Sequence, residues 1–216
     1  SIDILCVLYA RMKKINCISC DSSENTVFKE QLFNDKYLDL IDPKLNKIER
    51  QWVKCNKCSF IFHNPQLNSQ EIIDLYDKYR DSSFRNETSD EYFDRITSLP
   101  SSQSENLEKI IWIENNIKRH IESDGSILDI GSGTGLIAKS MQSSGYDVSV
   151  ADIHEKALQK ACDLGVKQCY LMDIYEPPFE NEFDVITLFD VIEHLDNDYK
   201  ALHNVFQMIK PGGKLI

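Results

Sequence analysis

Positive charge is in short supply in this chain. Its 24 lysines and arginines are scattered among 35 acidic residues, for a formal net charge of −11. An extended phosphate backbone meets no complementary face, which argues against nucleic acid as a partner. Long apolar runs are lacking as well. The apolar opening, Ile2 to Ala10 (IDILCVLYA), is too short to cross a bilayer, and Arg11, Lys13 and Lys14 follow it, whereas a secretory signal carries its charges in front. The expected location is cytoplasmic, with no membrane partner. Met12-Lys13-Lys14 reads as a translation start, which would leave residues 1–11 upstream; the alternative is an N-terminal strand or helix packed on the domain. An even cysteine count is also missing. The seven cysteines fall into two CxxC pairs plus Cys6, Cys162 and Cys169, a pattern that favours thiols and a metal over a disulfide framework.

What is present is enough chain, 216 residues, for one sizeable core or for a small module joined to a larger one. Residues 12–65 hold both cysteine pairs, Cys17/Cys20 and Cys55/Cys58, around a polar stretch too poor in apolar residues to build its own core. Residues 66–103 read as a helix over 71–79 followed by a polar connection or lid rich in Ser, Asp, Asn and Glu. From residue 104 onward helix and strand alternate. Helices are expected over 104–121, 136–145, 155–165 and 197–210, the last halted by Pro211-Gly212-Gly213. Strands are expected at 127–130, 147–151, 168–172 and 183–189, and Lys214-Leu215-Ile216 opens one more. Gly145 and Gly165 suit the left-handed turn that ends a helix. Strict alternation means parallel pairing with right-handed crossovers, so the fold class is α/β with a doubly wound, Rossmann-like parallel sheet behind a small N-terminal module.

Ligands of such a sheet sit beyond the carboxyl ends of the strands, and the first strand-to-helix turn brings backbone close to them. Here that turn is Gly131-Ser132-Gly133-Thr134-Gly135. The dinucleotide fingerprint would require glycine where Leu136 stands, so a pyrophosphate, and with it an NAD-dependent reductase, is disfavoured. Asp129, two residues before the first glycine, would repel an anion and welcome a cation. Asp152 ends the next strand, where a carboxylate accepts both ribose hydroxyls, and Asp173 ends the third, placed to meet an adenine amine. Three acids at three successive strand ends describe an adenosine joined to an ammonium-bearing chain, and S-adenosylmethionine fits that description. The plainer roles stay open: a helix N-cap for Asp152, a turn residue for Asp173, a solvated loop acid for Asp190.

The segments ILDIGSGTG, VADI, LMDI, FDVITLFDVIEHLDN and IKPGGKLI, in this order and spacing, resemble the class I S-adenosylmethionine-dependent methyltransferases over about residues 104–216. The resemblance implies that Asp129 and Gly131, Ser132, Gly133, Thr134 and Gly135 line the methionine part, Asp152 the ribose, and Asp173 and Ile174 the adenine, with Phe189 and Asp190 closing over the cofactor and Ile153 a further cofactor-binding candidate. That family's sheet has seven strands, and this chain stops inside the fifth.

Two CxxC pairs supply four thiolates, Cys17, Cys20, Cys55 and Cys58, for a closed tetrahedral zinc site that would hold the polar segment together. His63 is a candidate substitute ligand, and four reduced thiols without metal are the plainer alternative. The order CxxC, WVKCNKCSFIFHNP and then a helix carrying Tyr76 and Tyr79 is similar to the zinc-bearing N-terminal segment ahead of some methyltransferases of deoxysugar and surface-polysaccharide pathways. By that likeness the acceptor is a small polar molecule, a sugar or nucleotide sugar. An O-methyltransferase acting on a quinone-like metabolite and a non-catalytic zinc and cofactor-binding module are the competing functions. Methyl transfer to oxygen, or to carbon beside a carbonyl, needs a general base. His194 in VIEHLDN is the leading candidate, Tyr79 a second catalytic candidate from the N-terminal segment, and a magnesium site at Glu193 and His194 a third arrangement.

Overall fold

The computed structural model describes residues 12–31, 36–43, 45, 49–79, 86–117, 121, 124–195 and 197–216. The apolar opening with Cys6, and residues 80–85 of the expected connection, lie outside the described residues. The chain forms two compact units, Ser1–Tyr92 and Phe93–Ile216.

In the first unit β1 (Asn25–Gln31), β2 (Arg50–Cys55) and β3 (Ile61–Asn64) form an antiparallel sheet in that order. Val53 at its centre pairs with Val27 on one side and Phe62 on the other. The sequence gives little sign of these strands, because β1 reads NTVFKEQ and presents no alternating apolar face. Val53 and Phe62 instead bury themselves with Cys17 and Cys55. A second small cluster joins Met12, Leu38 and Leu45 to Leu67 and Leu75, between α1 (Lys36–Ile41) and α2 (Ser69–Tyr79). A reciprocal cap starts α2: the Asn68 N–H donates to Glu71 Oε2 at 2.9 Å and the Glu71 N–H to Asn68 Oδ1 at 3.0 Å.

The expected polar connection contains a helix, α3 (Ser89–Thr97). Its cause is again a capping box. The Thr88 N–H donates to Glu91 Oε2 at 2.7 Å and the Glu91 N–H to Thr88 Oγ1 at 3.2 Å. Within the second unit Phe93 of this helix lies under the Lys160 ammonium, 5.1 Å from ring centroid to Nζ.

The second unit is a parallel sheet of β6 (Gln168–Leu171), β5 (Asp147–Asp152), β4 (Ser126–Ile130), β7 (Phe183–Thr187) and β8 (Ile209–Leu215), side by side in that order. Strand residues alternate between two cores. Ile127, Val150 and Val185 join α4 (Glu105–Ile117), α5 (Leu136–Ser143) and α6 (Glu155–Asp163) through Ile113, Ile117, Met141, Leu158 and Ala161. Leu128, Ala151 and Ile186 join α7 (Asp198–Met208) through Ala201, Val205 and Met208. With helices on both faces the sheet is doubly wound, and its apolar strands are covered on each side.

Three local readings are corrected. The helix expected to run to Lys210 stops at Met208, because Ile209 already pairs with Phe183, and Pro211-Gly212-Gly213 forms an irregularity inside β8. Strand β7 ends at Thr187, two residues earlier than expected. Cys162 and Cys169, expected as thiols, meet as a disulfide across the α6–β6 turn with Cα atoms 6.3 Å apart; the Gly165 turn brings the end of the helix back beside the strand.

The amino end of the sheet is closed by a polar lock. Asp184 Oδ2 accepts from the Ser126 N–H at 2.9 Å, the Ser126 hydroxyl at 2.7 Å and Lys210 Nζ at 2.9 Å. These contacts tie β4, β7 and β8 together. Burial pushes the Asp184 carboxyl upward, but Lys210 and the two Ser126 donors outweigh it and hold it below its ordinary value.

Candidate functional site

At the carboxyl end of the same sheet the chemistry differs. Asp129 and Thr187, on the adjacent strands β4 and β7, are 3% and 0% exposed. The Thr187 hydroxyl donates to Asp129 Oδ1 at 2.6 Å. Burial, the largest influence, pushes the Asp129 carboxyl up to about 6; Thr187 opposes the rise, the Asp152 charge adds to it, and Lys109 opposes it. A buried acid whose hydrogen bond among the described residues comes from a neutral hydroxyl is poised to receive a cation.

Past β4 the glycine turn folds over the end of β5. The Gly131 N–H donates to Ala151 O at 2.7 Å, and the Gly133 N–H to Asp152 Oδ2 at 3.1 Å. Asp152, 3% exposed, also accepts the His154 N–H on Oδ1 at 2.8 Å. The two backbone donors fix the carboxylate at the tip of β5, one on each oxygen.

The three glycines divide by purpose. A Cβ at Gly131 would collide with the Val191 side chain, and one at Gly135 would lie 2.5 Å from Ala161 Cβ, so these two serve close packing of the chain on itself. At Gly133 a Cβ would meet nothing within 4 Å. Bare backbone therefore faces open space only there among the three. Beside it Ser132 Oγ is buried and has no hydrogen-bond partner among the described residues. A buried hydroxyl left this way calls for a ligand or a water.

The rim holds the remaining sequence candidates. Ile153 is 54% exposed just beyond Asp152. The Met172 N–H donates to Asp152 O at 3.1 Å, which sets the tip of β6 beside that of β5. Asp173 Oδ1 accepts the Tyr175 N–H at 2.9 Å in an Asx turn. The Ile174 side chain is buried in the core, while its carbonyl accepts from Asn204 Nδ2 at 2.9 Å. Phe189 packs against the first core. Asp190 is exposed, adopts φ +55° and forms an ion pair with Lys109 of α4. His194 ends a 3-10 turn over Ile192–His194, with its N–H on Val191 O at 2.9 Å and its side chain exposed. The Tyr79 side chain lies outside the described residues, and Tyr76 is half-buried in the first unit.

Asp129, the 131–135 turn, Asp152 and the Phe189–Asp190 segment are thus gathered at one end of the sheet. Thr187 and Lys109 belong with them and were not among the sequence candidates. Thr187 carried a readable signal, a lone hydroxyl closing the apolar strand FDVIT. Lys109 carried none, being 81 positions from its partner.

In the first unit the sulfurs of Cys17, Cys20, Cys55 and Cys58 all lie within 4.8 Å of one another. Cys17 Sγ is 3.5 Å from Cys58 Sγ, and Cys20 Sγ is 3.6 Å from Cys55 Sγ. A tetrahedral zinc with Zn–S bonds of about 2.3 Å needs sulfurs roughly 3.8 Å apart, so the donor set fits the metal. The Cys58 N–H, foremost, holds Cys55 down to about 6, helped by the Lys57 N–H, and the Phe60 N–H lowers Cys58, while burial raises Cys17. His63 sits against the Trp52 ring, 3.5 Å between centroids, and is not in the sulfur cluster.

Comparison with known proteins agrees with the motifs. Residues 128–216 match the family model described as a methyltransferase domain. The chain is 34% identical over 112 residues to the ubiquinone biosynthesis O-methyltransferase of Rickettsia bellii, covering 49% of this chain and 47% of that protein. It is 27% identical over 150 residues to the protein of the same name from Psychrobacter cryohalolentis, covering 59% and 58%. The chain therefore spans about half the length of these curated relatives. Among solved structures, a TehB-like methyltransferase from Corynebacterium glutamicum is similar at 22% identity and a TM-score of 0.48, over 59% of this chain and 70% of that one. No helix among the described residues is long and apolar enough to cross a membrane.

Proposed function

We propose that this protein is an S-adenosylmethionine-dependent methyltransferase that transfers the methyl group to an oxygen of a small-molecule acceptor. The observation carrying the reading is the set of groups at the carboxyl end of β4: buried Asp129 with its raised carboxyl, open backbone at Gly133 and the buried hydroxyl of Ser132, which has no hydrogen-bond partner among the described residues. S-adenosylmethionine supplies an electrophilic methyl group on a sulfonium. The chain has to hold it in line with the acceptor, exclude water and remove a proton.

Asp129 takes the amino group in a charge-assisted hydrogen bond. Gly131 to Gly135 lie along the methionine part, Asp152 and Ile153 take the ribose, Asp173 and Ile174 border the adenine, and Phe189 and Asp190 form the outer wall. His194, exposed beyond β7, accepts the acceptor's proton at an imidazole nitrogen. The methyltransferase domain is residues 104–216, residues 66–103 form the connection, and residues 12–65 form a module in which Cys17, Cys20, Cys55 and Cys58 hold a structural zinc. The fit of the four sulfurs supports that module. A tetrahedral site filled by four thiolates adds no open coordination position for catalysis.

An oxygen acceptor is supported by the names of the relatives. The second reading, a sugar or nucleotide sugar acceptor, draws on the likeness of the four-cysteine segment to that of sugar-pathway methyltransferases. Methyl-labelled S-adenosylmethionine with a panel of catechol-type and nucleotide-sugar acceptors separates them: label is expected in the phenolic set, and label in the sugar set alone reverses the choice. Calorimetry with S-adenosylhomocysteine and NAD tests the cofactor, with binding expected for the first only. Elemental analysis is expected to find one zinc per chain, and a fully folded, metal-free protein would refute the zinc module.

A further inference from the structure

The turn after β7 is fastened from a distant helix. Asp190 takes φ +55°, in the left-handed region that aspartate tolerates better than most residues. Its neighbour Val191 presses on Gly131 so closely that no Cβ could stand at that glycine. Val191, next in sequence to Phe189 and Asp190, therefore forms one wall of the glycine turn. The Asp190 carboxylate is held by an ion pair. The partner is distant in sequence: Lys109, one turn into α4, bonds Asp190 Oδ2 and lies 5.9 Å from the centre of the Phe189 ring.

An ion pair of this kind contributes little to folding when its carboxylate is open to water, and Asp190 is 70% exposed. Lys109 is not: its side chain is only 25% exposed. Its aliphatic stem is packed, and its ammonium is directed to two consecutive residues of the wall. Holding the wall, and not holding the fold, is the role this arrangement suits.

We infer that Lys109 is a positioning residue for the cofactor cleft: through Asp190 and Phe189 it fixes the wall that Val191 builds against the glycine turn. This rests on the proposed function for the identity of the ligand. It requires no contact between Lys109 and that ligand.

The test is calorimetry of S-adenosylhomocysteine on the whole chain with Lys109→Met, which keeps the stem and removes the charge, and with Lys109→Arg and Asp190→Asn. Lys109→Met is expected to bind about tenfold more weakly at an unchanged melting temperature, equivalent to about 1.4 kcal/mol. Lys109→Arg should recover to within about threefold. The Lys109→Met/Asp190→Asn double variant should bind no worse than the weaker single, because both remove one interaction. Wild-type affinity in Lys109→Met, or additive losses in the double variant, overturns the inference. Should the wild type itself bind no S-adenosylhomocysteine, the proposed function fails first. Hydrogen exchange then decides the positioning role alone: faster exchange at the amides of Asp190 and Val191 in Lys109→Met upholds it, and unchanged exchange rejects it.

Discussion

The two ends of the parallel sheet each carry an aspartate on adjoining strands, and the two acids have opposite fates. Asp184 at the amino end has three donors from Ser126 and Lys210 and is held below its ordinary range. Asp129 at the carboxyl end has one neutral donor, Thr187, and is pushed up to about 6 by burial. The same residue type on the same sheet is a fastener at one end and an unfilled demand at the other. What separates them is neutralisation. A buried charge that the fold does not compensate is costly, and a protein keeps one where a ligand completes it.

The largest effect that could break this contrast is on binding. Asp129→Asn should weaken S-adenosylhomocysteine by at least about a hundredfold, the order of one charge-assisted hydrogen bond, whereas Asp184→Asn should leave affinity within about threefold. Equal losses from the two variants would erase the distinction.

Stability should move the other way. The folded value of Asp129, about 6, lies above its ordinary 3.8, so its contribution is fully present below pH 3.8 and is lost as pH rises through 6. Above that, the ionised buried carboxylate is a burden of at most about 3 kcal/mol. Asp129→Asn should therefore stabilise the unliganded protein by about 2 kcal/mol at pH 7.5 and by nothing at pH 4, read by denaturant unfolding. A variant less stable than wild type at pH 7.5 contradicts the account.

Next in size is the pH dependence of binding. A cationic amino group needs the ionised carboxylate, which in the free protein exists mainly above pH 6. Affinity for S-adenosylhomocysteine should fall about fivefold between pH 6 and pH 5, with release of a proton on binding, and Asp129→Asn should flatten that slope. The smallest effect is at the other end. Asp184→Asn should cost about 1 kcal/mol at pH 7.5. Since Asp184 is held below its ordinary 3.8, the contribution it makes above that pH is lost as pH falls through its folded value, the reverse of Asp129.

Much of this contrast could be read from residue order. Apolar runs such as ILDI and the VSVA before Asp152 mark buried parallel strands, and the acids at their tips follow from position. The start of α4 and the boundaries of α5 and α6 came within a few residues of expectation, because the apolar spacing and, for α5 and α6, the closing glycines are local. The rest depends on partners far away in the chain. The strands of the first unit have no face of their own and come together around Cys17, Val53, Cys55 and Phe62. The α3 helix had a readable start in Thr88-Ser89-Asp90-Glu91, but its polar composition hid it. Gly131 and Gly135 look alike with Gly133 in sequence; only the neighbours Val191 and Ala161 reveal which glycine opens onto space. Lys109 had no signal at all.

The most direct test is a structure of the chain with S-adenosylhomocysteine bound. The account predicts its amino group within hydrogen-bonding distance of Asp129 and its ribose hydroxyls on Asp152, with Gly133 backbone against the ligand. A ligand seated away from these strand tips, or an amino group paired with some other acid, would contradict it.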